Sequence, residues 1–211
     1  MIVNERVTSY IHSLGQEGSD ALEAVRRRAE DTDVPVIRRE MESFLKVLLE
    51  IAQPSDILEI GTGTAYSALF MAGCFGGHIT TIENYDKRIK EATSNIFDLG
   101  MEDRITFICG DAACALPLLK GPYDFVFMDA AKAQYITFLP EIIRLMPKGG
   151  ILLADNVLQE GDIVESRYVT ARRQRTIHER MREYIWEVTH SSLLDTTVIT
   201  IGDGVTLSIK K

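Results

Sequence analysis

Carboxylate and amide side chains follow two apolar runs in the second half of the chain. Asp129 comes directly after Phe125–Met128, and Asp155 and Asn156 come directly after Ile151–Ala154. Two carboxylates and an amide oxygen are hard ligands, which suit Mg²⁺ or a similar cation better than zinc. An uncompensated pair of carboxylates would also repel, which favours a cation between Asp129 and Asp155. Each residue alone could equally cap a helix or bond within a loop, but together they predict a divalent-cation site.

Lys132 is the residue best suited to act as a general base. It follows Asp129 by less than one helical turn, close enough to address a substrate oxygen held near the cation. An amine beside a positive charge is pushed toward its neutral form, which accepts a hydroxyl proton near neutral pH. The alternative is an ordinary surface lysine, and only the position beside Asp129 favours the general-base interpretation of Lys132.

A glycine loop joins an earlier apolar run to the helical stretch that follows it. The loop contains Gly61, Thr62 and Gly63, and Glu59 comes just before it. The two glycines allow the backbone to turn close against a ligand. Glu83 ends the next apolar run, where a carboxylate accepts hydrogen bonds from both hydroxyls of a ribose. This spacing predicts a ligand that contains adenosine.

Tyr66 distinguishes between two classes of adenosine ligand. A dinucleotide site has a third glycine at this position, because the start of the helix must approach a pyrophosphate. Glu59 would repel phosphate, whereas it suits the ammonium and sulfonium charges of S-adenosylmethionine. S-adenosylmethionine is therefore predicted as the cofactor. Asp111, in Gly110-Asp111-Ala112, would border the adenine or cap the following helix.

A parallel sheet would bring all of these residues to one edge. From Asp56 onwards, short apolar runs alternate with amphipathic helical stretches, which is typical of βαβ units. The predicted parallel strands are Ile57–Ile60, His78–Ile82, Ile105–Ile108, Phe125–Met128 and Ile151–Ala154. Right-handed crossovers put helices on both faces and the carboxyl ends of the strands along one edge. The predicted fold is an α/β, Rossmann-like, mostly parallel sheet that binds its ligands there.

Helical segments precede this region, and an antiparallel hairpin closes it. Residues 1–53 form an N-terminal helical part, which ends before Pro54 and is expected to pack across the sheet. Near the end of the chain, Leu193–Ile201 and Val205–Ile209 flank Gly202-Asp203-Gly204, a compact turn signal. No repeat or Gly/Ser-rich linker separates these parts, so residues 1–211 are predicted to form a single domain.

Composition narrows the possible partners and the compartment. The formal net charge of −8 disfavours general nucleic-acid binding. Two arginine-rich stretches, at 26–39 and 172–182, are expected to be solvated helix faces paired with glutamates, with an RNA contact as the minority alternative. No apolar run approaches the roughly 18 residues of a membrane span, and the protein is expected to be cytoplasmic. The three cysteines lack metal-ligand spacing and are expected to be buried thiols.

Several blocks of sequence resemble the cation-dependent O-methyltransferase family, which includes the caffeoyl-CoA and catechol O-methyltransferases. The blocks run from about Val34 to the end of the chain and read LEIGTGTAYSALFMA, ITTIENYDKRIKEA, DRITFICGDA, YDFVFMDAAKAQY, GGILLADNVL and IGDGVTL. Several blocks in the same order are far more specific than one glycine loop. The resemblance implies a class I, S-adenosylmethionine-dependent methyltransferase.

The resemblance also implies roles for individual residues. It implies cofactor contacts by Glu59, Gly61, Thr62, Ser67, Glu83, Ala112 and Asp129, metal ligation by Asp129, Asp155 and Asn156, and catalysis by Lys132. The metal, with Mg²⁺ the best fit, would hold a hydroxyl of a small catechol-like molecule and direct it at the methyl group of the cofactor. A homodimer is implied as well.

The chain departs from the family pattern around the acceptor. Ala131 stands where many plant-type relatives have a second Asp, Gln159 where members often have Trp, and Ala65 where Gly is commoner. The metal and base positions are intact, but a caffeoyl-CoA specificity is not predicted. Three alternatives stay open, namely methylation of a modified tRNA nucleoside, a non-catalytic S-adenosylmethionine-binding protein and an NAD-dependent oxidoreductase, although Tyr66 argues against the last.

Overall fold

Helices and strands alternate along most of the chain. The computed structural model describes residues 3–15, 18–166, 168 and 171–211. The helices are α1 (Glu5–Leu14), α2 (Asp20–Asp31), α3 (Arg39–Ala52), α4 (Tyr66–Cys74), α5 (Asp86–Asp98), α6 (Ala112–Ala115), α7 (Tyr135–Leu145) and α8 (Arg175–His190). The strands are β1 (Asp56–Ile60), β2 (His78–Glu83), β3 (Ile105–Cys109), β4 (Phe125–Met128), β5 (Ile151–Ala154), β6 (Leu194–Ile199) and β7 (Val205–Lys210). Short 3-10 turns cover Leu116–Leu118, Lys132–Gln134, Gln159–Val164 and Arg172–Gln174. No described helix is both long enough and apolar enough to cross a membrane.

The described strands form one sheet in the order β3-β2-β1-β4-β5-β7-β6. Strands β1 to β5 pair in parallel, and β7 pairs antiparallel with both β5 and β6. The predicted fold class, a mostly parallel α/β sheet with a closing antiparallel hairpin, is therefore confirmed. The predicted strand Leu193–Ile201 is longer than β6, because the chain already turns before Gly202 and Gly204, which both have positive φ.

The order of the strands creates a crevice between β1 and β4. From β1 the chain continues to β2 and β3 on one side, and it then returns to place β4 and β5 on the other. Ligands of open parallel sheets bind at this point, outside the carboxyl ends of the strands, because the flanking connections diverge there. The register pairs Ile60 with Met128, so the residues that follow β1 and β4 are immediate neighbours.

Apolar side chains alternate between the two faces of the sheet and hold the helices against it. Ile57 belongs to the core that includes Leu45 of α3 and Ala68 of α4. Leu58, on the opposite face, belongs to the core that includes Ile142 of α7 and Met181 of α8. Fully burying a large aliphatic side chain contributes roughly 1.5–3 kcal/mol, so both helical layers are firmly attached. The N-terminal helical part packs on one face of the sheet, as expected.

Two expectations about side-chain exposure are wrong. Cys109 and Cys114 are exposed, and Cys74 is half-buried. Cys109 ends β3, which lies at the edge of the sheet, and Cys114 lies in α6, a helix of only 4 residues. Arg26, expected on a solvated helix face, is only 7% exposed. Its burial has a specific cause at the ligand crevice, described below.

Candidate active site

A cavity of about 670 Å³ lies in the crevice over the carboxyl ends of β1, β2 and β4. Its size is that of an ordinary small-molecule site. Ten of the residues singled out from the sequence line it, namely Gly61, Thr62, Gly63, Ser67, Glu83, Asp111, Ala112, Asp129, Lys132 and Asn156. Glu59 and Asp155 do not line this cavity. The fold therefore brings most of the predicted site residues to one place.

Gly61 allows the loop after β1 to pass directly against the end of β4. Its φ is +99°, and a Cβ atom there would lie 2.0 Å from the backbone oxygen of Asp129. The N–H of Gly61 donates to the carbonyl of Ile82 at 3.1 Å, and the N–H of Asp129 donates to the carbonyl of Ile60 at 3.0 Å. Only glycine fits this close approach, which joins the predicted cofactor loop to the first predicted metal ligand.

Backbone N–H groups fix the carboxylate of Glu83 at the edge of the cavity. One oxygen accepts a hydrogen bond from the N–H of Gly63 at 2.9 Å. The other accepts from the N–H groups of Asn84 and Tyr85 at 2.9 and 3.0 Å. A carboxylate held in this way keeps lone pairs for further donors, which suits an acceptor of ribose hydroxyls.

Glu59 lies behind the loop and not in the cavity. Its side chain is fully buried, and its carboxylate accepts hydrogen bonds from the hydroxyls of Ser67 and Thr81, both at 2.5 Å. Burial raises the pKa of Glu59 to about 7, although these two hydroxyls act in the opposite direction. The structure does not support the direct cofactor contact expected from the sequence. Glu59 instead ties the start of α4 to β2 and so supports the cofactor loop from below.

Asp111 takes one of the two roles that the sequence left open, the cap of the following helix. Its carboxylate accepts a hydrogen bond from the N–H of Ala113 at 2.8 Å and so caps α6. Asp111 and Ala112 also both line the cavity. The cap therefore holds the carboxylate at the rim of the cavity, next to the end of β3.

A buried polar network joins α2 and α3 to the first residue of α4. The hydroxyl of Tyr66 donates to Glu42 at 2.6 Å and accepts from Nε of Arg26 at 3.2 Å. Arg26 also forms an ion pair with Glu42 and donates to the carbonyl of Ile37 at 2.8 Å. Burial raises the pKa of Tyr66, and the bond to Glu42 acts in the same direction. Arg26 is buried because these partners satisfy its charge and its donors.

The same network anchors a wall of the cavity that the sequence did not single out. Val34, Pro35, Val36 and Ile37, between α2 and α3, also line the cavity. Their apolar side chains resemble ordinary core residues, so nothing in the sequence alone marked them as part of a site.

Asp129, Asp155 and Asn156 meet at the adjacent ends of β4 and β5. The N–H of Asp155 donates to the carbonyl of Met128 at 2.9 Å, which continues the pairing of the two strands. Asp129 and Asn156 line the cavity, whereas Asp155 is only 5% exposed. Asn156 has a φ of +57°, a left-handed conformation that asparagine tolerates better than most residues. The three predicted metal ligands are thus brought together.

The electrostatics of this trio fit a hard cation. Burial raises the pKa values of Asp129 and Asp155 above the usual range of a carboxyl group, and the charge of Asp129 acts in the same direction on Asp155. A divalent cation relieves two carboxylates that are destabilised as anions. In the described ranges, no group of three or more His, Cys, Asp or Glu side chains is arranged to hold a metal. The amide oxygen of Asn156 would therefore have to be the third protein ligand.

Lys132 begins the 3-10 turn after β4 and forms an ion pair with Asp203. Its Nζ lies 3.5 Å from Oδ2 of Asp203. The sequence predicts only a turn at Asp203 and does not indicate that it is the partner of Lys132. Its membership of the IGDGVTL block is the signal that could have found it, although the two residues are 71 positions apart.

A second chamber, of about 330 Å³, adjoins the cavity at Lys132. Lys132 lines both spaces. The other residues of the chamber are Gln159, Glu160, Asp162, Gln174, Ile177 and Asp203. Gln159, one of the departures from the family pattern, therefore lies in this chamber, while Ala131 lies in the wall of the larger cavity.

A family model described as O-methyltransferase matches residues 13–211 of the chain. The chain belongs to the O-methyltransferase family. This O-methyltransferase is 30% identical to a catechol O-methyltransferase of Mycobacterium tuberculosis. The alignment of 213 residues covers 96% of this chain and 94% of the relative. A Staphylococcus aureus protein, provisionally named a caffeoyl-CoA O-methyltransferase, has a crystal structure with a TM-score of 0.89 and 30% identity over 99% of both chains. An SAH-bound methyltransferase of Podospora anserina has a TM-score of 0.86 and 26% identity over 98% of this chain and 94% of its own.

These matches confirm the resemblance that the sequence blocks carry. The chain is an S-adenosylmethionine-dependent O-methyltransferase, as predicted. The alternatives of an NAD-dependent oxidoreductase and of a non-catalytic protein are set aside.

Proposed function

We propose that this O-methyltransferase transfers the methyl group of S-adenosylmethionine to one hydroxyl of a small, catechol-like molecule held on a divalent cation, with Mg²⁺ the best fit. One observation carries the proposal. Glu83, Asp129 and Asn156 line one cavity, and Lys132 lines both this cavity and the second chamber. Donor, cation and acceptor would therefore occupy two spaces that adjoin at Lys132.

The glycine loop and Glu83 would hold the cofactor. Glu83 would accept hydrogen bonds from the ribose hydroxyls, while Asp111 and Ala112 would border the adenine. Gly61, Thr62, Gly63 and Ser67 would pack around the rest of the molecule, with the support of Glu59 beneath them. S-adenosylmethionine supplies the methyl group as a sulfonium substituent, which is activated for displacement.

Asp129, Asp155 and Asn156 would hold the cation. When bound, it supplies a Lewis acid that favours the ionised form of an acceptor hydroxyl. Asp129 and Asn156 present oxygen donors to the cavity, and Asp155 contributes a second carboxylate from behind them. The partly buried position of this trio excludes much of the water that would otherwise screen these charges.

Lys132 would receive the proton of the acceptor hydroxyl at its Nζ atom. It belongs to the walls of both spaces, so its amine would lie beside an acceptor that reaches from the second chamber toward the cofactor. The proposal therefore assigns Lys132 the role of general base. Loss of this proton would leave an oxyanion, which would form a bond to the methyl carbon while the bond between that carbon and the sulfonium sulfur breaks and S-adenosylhomocysteine leaves.

The second chamber favours a small acceptor without phosphate groups. Three of its side chains, Glu160, Asp162 and Asp203, are acidic, and its volume of about 330 Å³ is small. Acyl-CoA esters and tRNA carry several phosphates, which these carboxylates would repel. A modified tRNA nucleoside is the alternative acceptor, motivated by the arginine-rich stretches, and the chamber does not favour it.

A homodimer is part of the proposal, and α1 offers a surface for it. Val7, Tyr10, Ile11 and Leu14 lie at helical spacing on one side of α1, and each is more than 40% exposed. A second copy of this chain would cover this stripe. Sedimentation velocity should give a dimer for the wild type and for Phe97→Asp, an exposed position on α5, but a monomer for Tyr10→Asp. A monomeric wild type would contradict the proposal.

The metal-dependent mechanism is tested by Asp155→Ala. This variant should lower kcat with catechol by at least about 100-fold, because the cation contributes several kcal/mol of charge stabilisation. Calorimetry should still detect S-adenosylmethionine binding, because Asp155 lies outside the cofactor cavity. Asp103→Ala, at an exposed position, serves as the control. Full activity of Asp155→Ala without added metal would overturn the mechanism.

A further inference from the structure

A histidine ring is buried on the inner side of α8. His178 is only 1% exposed, and it belongs to the buried positions of this helix together with Met181, Tyr184 and Val188. Its Nε2 atom lies 3.2 Å from the carbonyl oxygen of Asp162. Because a carbonyl oxygen can only accept, Nε2 must carry a proton and donate it to this bond. One nitrogen of the ring therefore ties α8 to the backbone at Asp162.

The other ring nitrogen of His178 has no such contact. Nδ1 is buried, and none of the described residues forms a hydrogen bond with it. Burial of a polar atom without a partner is unfavourable, whereas an apolar side chain of similar volume has no such atom. Packing alone would therefore favour leucine at this position. The bond from Nε2 to Asp162 is the contact that a leucine could not make.

Asp162 belongs to the short turn Gln159–Val164, which we call the acceptor turn because it lines the second chamber. Gln159, Glu160 and Asp162 are the residues of this turn in the chamber wall. Gln159, Glu160 and Gly161 all have positive φ. Such a conformation is unfavourable for the two residues that are not glycine, and it persists only where the surroundings hold it. The acceptor turn therefore depends on contacts from outside itself.

Helix α8 supplies both a wall of the chamber and contacts that hold the acceptor turn. Ile177, directly before His178, lines the chamber. Arg182, one helical turn after His178, donates to the carbonyl of Ile163 at 3.3 Å. Arg182 is exposed, so water competes for its bond, whereas His178 is shielded from water. His178 is therefore the stronger of the two links between α8 and the acceptor turn.

We propose that His178 is a positioning residue, which fixes the acceptor turn against α8 and so sets the shape of the second chamber. The inference rests on the proposed function, in which this chamber receives the catechol-like molecule. His178 lines neither the chamber nor the cofactor cavity, so it acts through the backbone of Asp162. A purely structural role, in which His178 only fills the core, makes different predictions.

The first test compares His178→Leu with His178→Gln in assays with catechol and Mg²⁺. His178→Leu removes the donor to Asp162, so its KM for catechol should rise roughly 3- to 10-fold, the range that loss of one neutral hydrogen bond produces. The KM for S-adenosylmethionine should not change, because no residue of the acceptor turn, all of which is described, lines the cofactor cavity. His178→Gln, whose amide nitrogen can donate in place of Nε2, should restore most of the affinity for catechol.

Hydrogen exchange, followed by mass spectrometry, gives a second readout that needs no acceptor. The N–H groups of Gly161 and Glu165 donate to the carbonyls of Leu158 and Asp162 at 2.9 and 3.0 Å. Peptides from this region should exchange roughly 3- to 10-fold faster in His178→Leu, because the acceptor turn would open more often. Peptides from β4 and β5 should exchange at the wild-type rate.

His190→Leu is the matched control, because His190 is an exposed histidine of the same helix. This variant should match the wild type in both KM values and in hydrogen exchange. The urea midpoint, measured for all three variants, separates a loss of stability from a loss of positioning. A destabilised protein has a smaller active fraction, which lowers the apparent kcat and leaves the KM for catechol unchanged.

Separate outcomes distinguish the failure of this inference from that of the proposed function. A wild-type KM for catechol in His178→Leu, or wild-type exchange of the acceptor turn, would overturn the positioning role and leave the proposed function intact. An equal rise of this KM in His178→Gln would also overturn it, because the hydrogen bond would not be its basis. A wild-type protein that transfers no methyl group to catechol would overturn the proposed acceptor and the inference together.

Discussion

The backbone oxygen of Asp129 occupies the space beside Gly61 that any side chain would need, 2.0 Å from the position of a Cβ atom. This approach fixes the distance between the cofactor loop and the first predicted metal ligand. The relative position of the cofactor loop and the predicted metal ligands therefore depends on Gly61. Gly61 therefore offers a direct test of the geometry of the crevice.

Gly61→Ala should weaken S-adenosylmethionine binding at least about tenfold and lower the free energy of unfolding by roughly 1–3 kcal/mol, because a clash with backbone adds to the strain of a positive φ. Calorimetry and urea unfolding measure the two effects. Gly73→Ala, in α4 where nothing lies within 4 Å of a new Cβ, is the control. It should bind the cofactor normally. Wild-type cofactor affinity in Gly61→Ala would show that the loop can move away from Asp129.

The buried network at the start of α4 predicts the effect of Tyr66→Phe. Loss of the hydroxyl removes a donor to Glu42 and an acceptor for Arg26. Leaving such groups without a partner costs about 1–3 kcal/mol. The free energy of unfolding, measured in urea, should fall by that amount. Tyr85→Phe, at an exposed position, should change it little. Equal stability of the two variants would mean that Tyr66 does not hold the network together.

The raised pKa of Glu59 predicts how the free energy of unfolding depends on pH. Its pKa rises from an ordinary value of 4.5 to about 7 in the folded protein because it is buried. Between these values the folded state binds more protons than the unfolded state, so stability falls as pH rises through this range. Glu59 alone should reduce the free energy of unfolding by about 2–3 kcal/mol between pH 5 and pH 8.

Urea unfolding of Glu59→Gln at both pH values isolates this contribution. The variant should lose less stability than the wild type over the same interval, because its amide does not titrate. Glu50→Gln, at an exposed position on α3, should follow the wild-type curve. If Glu59→Gln also lost as much stability as the wild type between pH 5 and pH 8, Glu59 would have to be charged in the folded protein at pH 5.

Much of the fold could be predicted because its signals are local. The run Phe125–Met128 is buried throughout and followed by Asp129, which is how a central parallel strand and its functional end are arranged. The glycine loop and Glu83 lie close in sequence to the strands that carry them. Each of these features depends on spacing within a few residues, so the sequence alone contains it.

The missed features depend on partners that are distant in sequence. Lys132 and Asp203 are 71 residues apart, and nothing in a Gly-Asp-Gly turn indicates which side chain the aspartate will face. Arg26 is buried because Glu42 and Tyr66 reach it from two other helices and the carbonyl of Ile37 accepts a further hydrogen bond. Glu59 was placed in the cofactor site, since its neighbours in sequence line the cavity, but the alternation of β1 directs it beneath the loop.

The central claim is transfer of a methyl group to a hydroxyl held on a divalent cation, and methyl-labelled S-adenosylmethionine tests it most directly. The metal-stripped protein would be incubated with the labelled cofactor and with catechol, an acyl-CoA ester or total tRNA, each with and without Mg²⁺. The account predicts that label enters catechol, and that it does so only when Mg²⁺ is present. Equal labelling of catechol without metal, or labelling confined to tRNA or the acyl-CoA ester, would contradict it.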